Sequence, residues 1–140
     1  MKIPHMAHVA LVDGERFVVM RNTGQIFEPR LEEVAEPDLD RTNYSAGVRH
    51  QDRVPEGFRT VSTELDELDE LAHAAAAAEW LNAQVLAGEI EQLVVVADPR
   101  TLGEMRRHYH KELEARLAGE LGKDVSGTTP EKVAQIIAAV

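Results

Sequence analysis

The sequence predicts an α/β fold: a mixed sheet that opens with an antiparallel meander and carries helices packed on it. Three observations predict it. Asp13-Gly14-Glu15 separates two apolar runs, residues 8–12 and 16–20, and Asp-Gly between β-rich runs is a strong hairpin signal. Residues 93–97, Leu-Val-Val-Val-Ala, are apolar without alternation, as in a strand covered on both faces and paired in parallel. Leucines and alanines between these strands recur at helical period.

Taken in order, the hairpin strands come first. Arg21-Asn22-Thr23-Gly24 then makes a turn cluster, and residues 25–34 read as a third, more polar strand. Residues 36–62 hold Pro37, Gly47, Pro55 and Gly57 with little periodicity, a long irregular loop inside a small domain. A helix starts at Thr63 as N-cap, with Asp66 in the capping-box position and acids in the first turn beside the positive end of the dipole. Its stripe is Leu65, Leu68, Leu71, Ala72, Ala75, Ala78 and Leu81 or Leu86, and Gly88 is its stop. After the buried strand, Asp98 caps a helix with Pro99 in its first turn. That helix is predicted over residues 99–117, with Leu102, Met105, Tyr109, Leu113 and Leu117 on one side. Residues 119–125 form a short final strand of poor propensity, and Thr128 or Thr129 caps a last helix starting at Pro130. The predicted order is β-β-β-loop-α-β-α-β-α in one domain, 1–140.

Composition narrows the function classes. No stretch approaches the roughly 20 apolar residues that span a bilayer, so no membrane is expected as a partner. The N-terminus lacks the apolar core of a signal peptide, and the chain has no cysteine, which points to a cytoplasmic location and removes thiolate chemistry. The net charge of −10 disfavours the ribosome or RNA as a partner for the chain as a whole. The charge is uneven. Residues 31–72 carry twelve carboxylates against four arginines, whereas residues 106–140 are near neutral.

The candidate chemistry is sparse. Ala97-Asp98-Pro99-Arg100-Thr101-Leu102-Gly103 follows a strand and opens a helix, as phosphate loops do, but it has neither the Gly-Lys-Ser/Thr of a P-loop nor Gly-x-Gly-x-x-Gly. Asp98 would occupy the anion's place, leaving Arg100 as the counterweight. His108 and His110, two apart, point to different sides of a helix, whereas Glu104 and His108, or His108 and Glu112, share a face. His5 and His8 stand near a strand start. No third ligand is evident, so no metal site and no cofactor is assigned. Asp13, Asp98 and Asp124 all fall near strand ends, where a two-metal phosphodiester hydrolase gathers carboxylates, yet each has a turn or capping reading. Arg49, His50, Asp52 and Arg53 concentrate mixed polar chemistry in the long loop. These four with Asp98 and Arg100 form the candidate ligand or partner site; no catalytic residue is assigned. An exposed Trp80 or a bare alanine-rich face would favour a homodimer.

Residues 8–24 (HVALVDGERFVVMRNTG), 58–106, with ADPRTLGEMR at their end, and 121–137 (LGKDVSGTTPEKVAQII) together resemble the host attachment protein family, bacterial proteins described as required for attachment to host cells. That family is similar to the middle domain of archaeo-eukaryotic peptide-chain release factors, which implies a ribonuclease H-like fold. In those factors a Gly-Gly-Gln loop enters the peptidyl-transferase centre and helps water cleave peptidyl-tRNA. No Gly-Gly-Gln occurs here, and the single Gly-Gln, Gly24-Gln25, falls in the turn before the long loop. The hydrolytic role is therefore not carried over. The resemblance implies first a non-enzymatic, cytoplasmic protein acting indirectly in attachment through an unknown protein partner. The alternatives are a translation-linked, ribosome-associated factor acting through the long loop with Arg49, Arg53 and Arg59, and a metal-dependent hydrolase.

Overall fold

The computed structural model describes residues 1–39, 62–125 and 127–140, with the backbone alone for 62–68. Strands β1 (His8–Val12), β2 (Phe17–Asn22) and β3 (Leu31–Ala35) precede helix α1 (Ser62–Leu86). Then come β4 (Leu93–Ala97), α2 (Pro99–Arg106), α3 (Lys111–Arg116), β5 (Leu117–Gly122) and α4 (Pro130–Ala138). The five strands form one sheet in the order β3-β2-β1-β4-β5. The first three are an antiparallel meander, while β4 pairs in parallel with both β1 and β5. This is the mixed α/β sheet with packed helices that the sequence predicts.

The hairpin forms where Asp-Gly places it. The Asp13 carboxylate accepts from the Glu15 and Arg16 backbone N–H groups at 2.7 and 2.6 Å, closing the turn. Every residue of β4 is at most 2 % exposed, because alternate side chains enter two cores. Leu93, Val95 and Ala97 pack with α1, α2 and α3 residues on one face, and Val94 and Val96 with α4 residues on the other. Helix α1 ends at Gly88, whose φ of +80° suits glycine. There Glu89 N–H reaches Gln84 C=O and Gly88 N–H reaches Val85 C=O, the paired bonds of a Schellman cap.

Four expectations are corrected. The third strand begins at Leu31 rather than residue 25, because residues 25 and 28 exchange backbone hydrogen bonds of 3.1 Å in a turn. Helix α1 starts at Ser62, so Thr63 lies inside it, and Leu81 and Val85, not Leu86, are its buried residues near the end. The predicted 99–117 helix is two helices. Asn82 of α1 donates to the His108 carbonyl at 2.8 Å and accepts from the His110 N–H at 2.9 Å, drawing off backbone groups that a continuous helix would use. His110 then caps α3 through Nδ1, which accepts from the Glu112 N–H. Leu117 belongs to β5, which spans Leu117–Gly122 rather than 119–125. Asp98 caps α2 as expected, and of the two threonines offered for α4 it is Thr129 that caps it.

Ala74, Ala75, Ala77 and Ala78 are fully buried, and Trp80 packs edge-on against Phe17 with ring centroids 5.4 Å apart. Among the described residues no helix is long and apolar enough to cross a membrane. Ala78 has no room to grow, so Ala78→Leu is expected to lower unfolding free energy in urea by about 1–3 kcal/mol through overpacking.

Burial sets the charge state of His8. Desolvation first, and then the Arg21 charge, hold its pKa below the ordinary 6.5, against a smaller opposing effect of Glu89. Its Nδ1 is buried without a hydrogen-bond partner. The unfolded chain therefore takes up this proton at a higher pH than the folded one. The resulting stability is full above about pH 6.5 and is lost as pH falls toward the folded pKa. Urea titrations at pH 7.5 and at pH 5 should show a smaller acid loss for His8→Gln than for the wild type.

Candidate functional site

The parallel strands end together. Val12, Ala97 and Gly122 lie side by side in the register of β1, β4 and β5, so Asp13, Asp98 and Lys123 follow at one edge of the sheet. Crevices beyond the carboxyl ends of strands are where open α/β sheets bind ligands. The edge is extended by the β1–β2 turn, which α1 supports. His73, buried in the alanine run, donates from Nδ1 to the Asp13 carbonyl at 2.9 Å. The Glu70 side chain lies so close to Gly14 that a Cβ there would come within 2.8 Å of it.

Two hollows flank this turn. One, about 290 Å³, is lined by Arg16, Phe17, Glu36, Asp38, Leu39 and His73. It lies between the β1–β2 turn, the residues that follow β3 and His73 of α1. The other, about 80 Å³, lies toward α4 and is lined by Asp13, Arg16, Glu33, Asp124 and Thr128 among others. Arg16 borders both and pairs with Glu36 at 3.2 Å, each more than half exposed. A pair so solvated contributes little to stability and leaves both charges open to a partner.

The predicted site residues divide. Arg49, His50, Asp52 and Arg53 lie outside the described residues. Asp98 and Arg100 are at the sheet edge, but Asp98 has a structural occupation. Its Oδ1 accepts from the Thr101 hydroxyl at 2.6 Å and its Oδ2 from the Thr101 N–H at 3.1 Å. Asp13 is likewise engaged by its own turn. Among the described residues no group of three His, Cys, Asp or Glu side chains could hold a metal ion. The facing pair that helical geometry indicates does meet. His108 Nε2 lies 2.8 Å from Glu104 Oε2, with Arg107 3.2 Å from the other oxygen, so the buried carboxylate is satisfied within the chain. His5 lies at the opposite end of the sheet and donates to the Gly24 carbonyl.

Sequence reasoning missed Arg16, Glu36 and His73. A lone histidine inside an alanine run was the available signal for the last. The other two are ordinary charges whose meeting depends on the meander.

The edge thus offers hydrogen-bonding carboxylates already committed to backbone and an exposed ion pair. Asp98→Ala should lower stability by about 1 kcal/mol through the lost cap, read by urea unfolding. A family model described as bacterial archaeo-eukaryotic release factor family 12 matches residues 6–137. No curated protein matches the chain.

Proposed function

The chain belongs to bacterial archaeo-eukaryotic release factor family 12, and from that premise we propose a translation-related role: a ribosome-associated factor that acts by binding, without hydrolysing peptidyl-tRNA. The observation that carries the reading is the match itself, which takes in all five strands and nearly all of α4. Two features support binding over hydrolysis. The sequence contains no Gly-Gly-Gln, and among the described carboxylates Asp13 is held by backbone N–H groups and Asp98 by the N–H and hydroxyl of Thr101. The sheet edge at Arg16 and Glu36 is the contact surface in this reading, and Arg49, Arg53 and Arg59 are the further cations that the sequence offers for it. A cytoplasmic place goes with it. The match supports the release-factor half of the sequence resemblance and lends nothing to the host-attachment half.

The net charge of −10 opposes approach to a polyanion, so the contact has to be local and salt-sensitive. The purified chain should sediment with ribosomes through sucrose at low ionic strength and be released as salt rises. Replacing Arg49, Arg53 and Arg59 together by glutamate should abolish pelleting. Peptidyl-tRNA on the same ribosomes should stay intact. Absence of co-sedimentation at low salt would end the reading, and release of the peptide would overturn its non-hydrolytic part.

A further inference from the structure

At the end of the sheet opposite the Asp13–Arg16 turn, the β2–β3 connection carries Phe27, 81 % exposed, the most exposed large apolar side chain described. A single exposed aromatic is unremarkable by itself. Here its support is unusual. Asn22, fully buried, donates from Nδ2 to the carbonyls of Ile3 and Pro4 and accepts at Oδ1 from the N–H groups of Gly24 and Arg30. One amide thereby ties the N-terminal segment to the turn. Gly24 sits so tightly in it that a Cβ would come within 2.4 Å of the Glu28 carbonyl oxygen.

The neighbouring turn is strained. The Ala7 N–H reaches the Pro4 carbonyl at 3.1 Å, and Met6, at φ 67°, holds the left-handed position that type II turns give to glycine. Such strain persists only where surrounding contacts over-determine the backbone. Met6 is 47 % exposed and Ile26 37 %. The result is a fixed apolar knuckle rather than a loose loop, which reduces the ordering cost of a contact made there.

Charge indicates what the knuckle meets. Lys2 Nζ lies 5.4 Å from the centre of the Phe27 ring. Arg30 stands on the same pair of turns, with Glu28 nearby in the turn and Glu131 lining the hollow that Arg30 borders, on a chain whose net charge is −10. An exposed ring with cations beside it is the arrangement that holds single-stranded nucleic acid, the ring by stacking and the cations at phosphates. An apolar pocket on a protein would need the ring but not the cations.

We propose that this knuckle contacts single-stranded RNA, an unpaired base stacking on Phe27 while Lys2 and Arg30 meet the adjoining phosphates. The inference rests on the ribosome-associated reading for the source of that RNA, not for the chemistry of the contact.

The probe is a short fluorescein-labelled oligouridylate, followed by anisotropy at low salt and paired with ribosome sedimentation. Phe27→Ala should weaken oligouridylate binding by about tenfold or more, and Phe27→Trp should preserve it. Lys2→Ala with Arg30→Ala should weaken it and flatten its salt dependence. Because Phe27 is exposed, thermal melting of Phe27→Ala should match the wild type. Wild-type affinity in Phe27→Ala, or no binding by the wild type, overturns the proposal. Loss of ribosome binding in Phe27→Ala with oligouridylate binding intact would overturn it too, marking a protein-docking knob instead. The two readings fail separately. Oligouridylate binding through Phe27 without sedimentation removes the ribosome and keeps the RNA contact, whereas sedimentation without oligouridylate binding does the reverse.

Discussion

The complete burial of β4 is the constraint on which the remaining structure depends. Each large aliphatic side chain removed from water contributes roughly 1.5–3 kcal/mol, and here the successive side chains serve opposite faces. A strand placed this way needs a neighbour at each edge and a helical layer on each side, since its backbone and both rows of side chains must all leave water. β1 and β5 supply the edges in parallel. Parallel pairing in turn requires crossovers, which α1 provides before β4 and the α2–α3 pair after it. The same parallel register brings three strand ends to one edge, so the candidate site follows from how the core is filled.

That edge is a place where structure uses its polar groups before function does. Asp13 and Asp98 stand where a hydrolase would gather acids, but each carboxylate is the means by which a turn or helix begins. A carboxylate bound to backbone N–H groups has fewer lone pairs left for a metal or a proton. The charges the edge leaves exposed are those of Arg16 and Glu36. The opposite end of the sheet inverts this economy of polar groups. There one buried amide, Asn22, satisfies four backbone groups and leaves apolar side chains in solvent.

Much of the fold was legible in residue patterns, and the failures share a cause. Asp13-Gly14, Asp98-Pro99, Thr129-Pro130 and Gly88 are local signals, read by backbone groups within a few residues, and all behave as local chemistry requires. The third strand was misplaced because the 25–28 turn is tied down by Asn22, whose partners include Ile3 and Pro4, far off in sequence. The candidate site was less legible. Asp98 and Arg100 lie at the edge where the parallel strands end, but Arg16, Glu36 and His73 come together only through pairing and packing. Arg49, His50, Asp52 and Arg53 lie outside the described residues.

By itself the sequence determined the class of fold, the hairpin, the central strand and the caps at Asp98 and Gly88, because these follow from hydrophobic period and turn residues along the chain. Tertiary structure alone decided where the 99–117 stripe breaks. Leu102, Met105, Tyr109, Leu113 and Leu117 all face one core as a single helix would have them, yet Asn82 takes the His108 carbonyl and the His110 N–H from another helix and divides it. It also decided which charges share an edge and which ring stands in solvent. Periodicity records what a side chain prefers to face; it holds no information about a hydrogen bond offered from twenty-odd residues away.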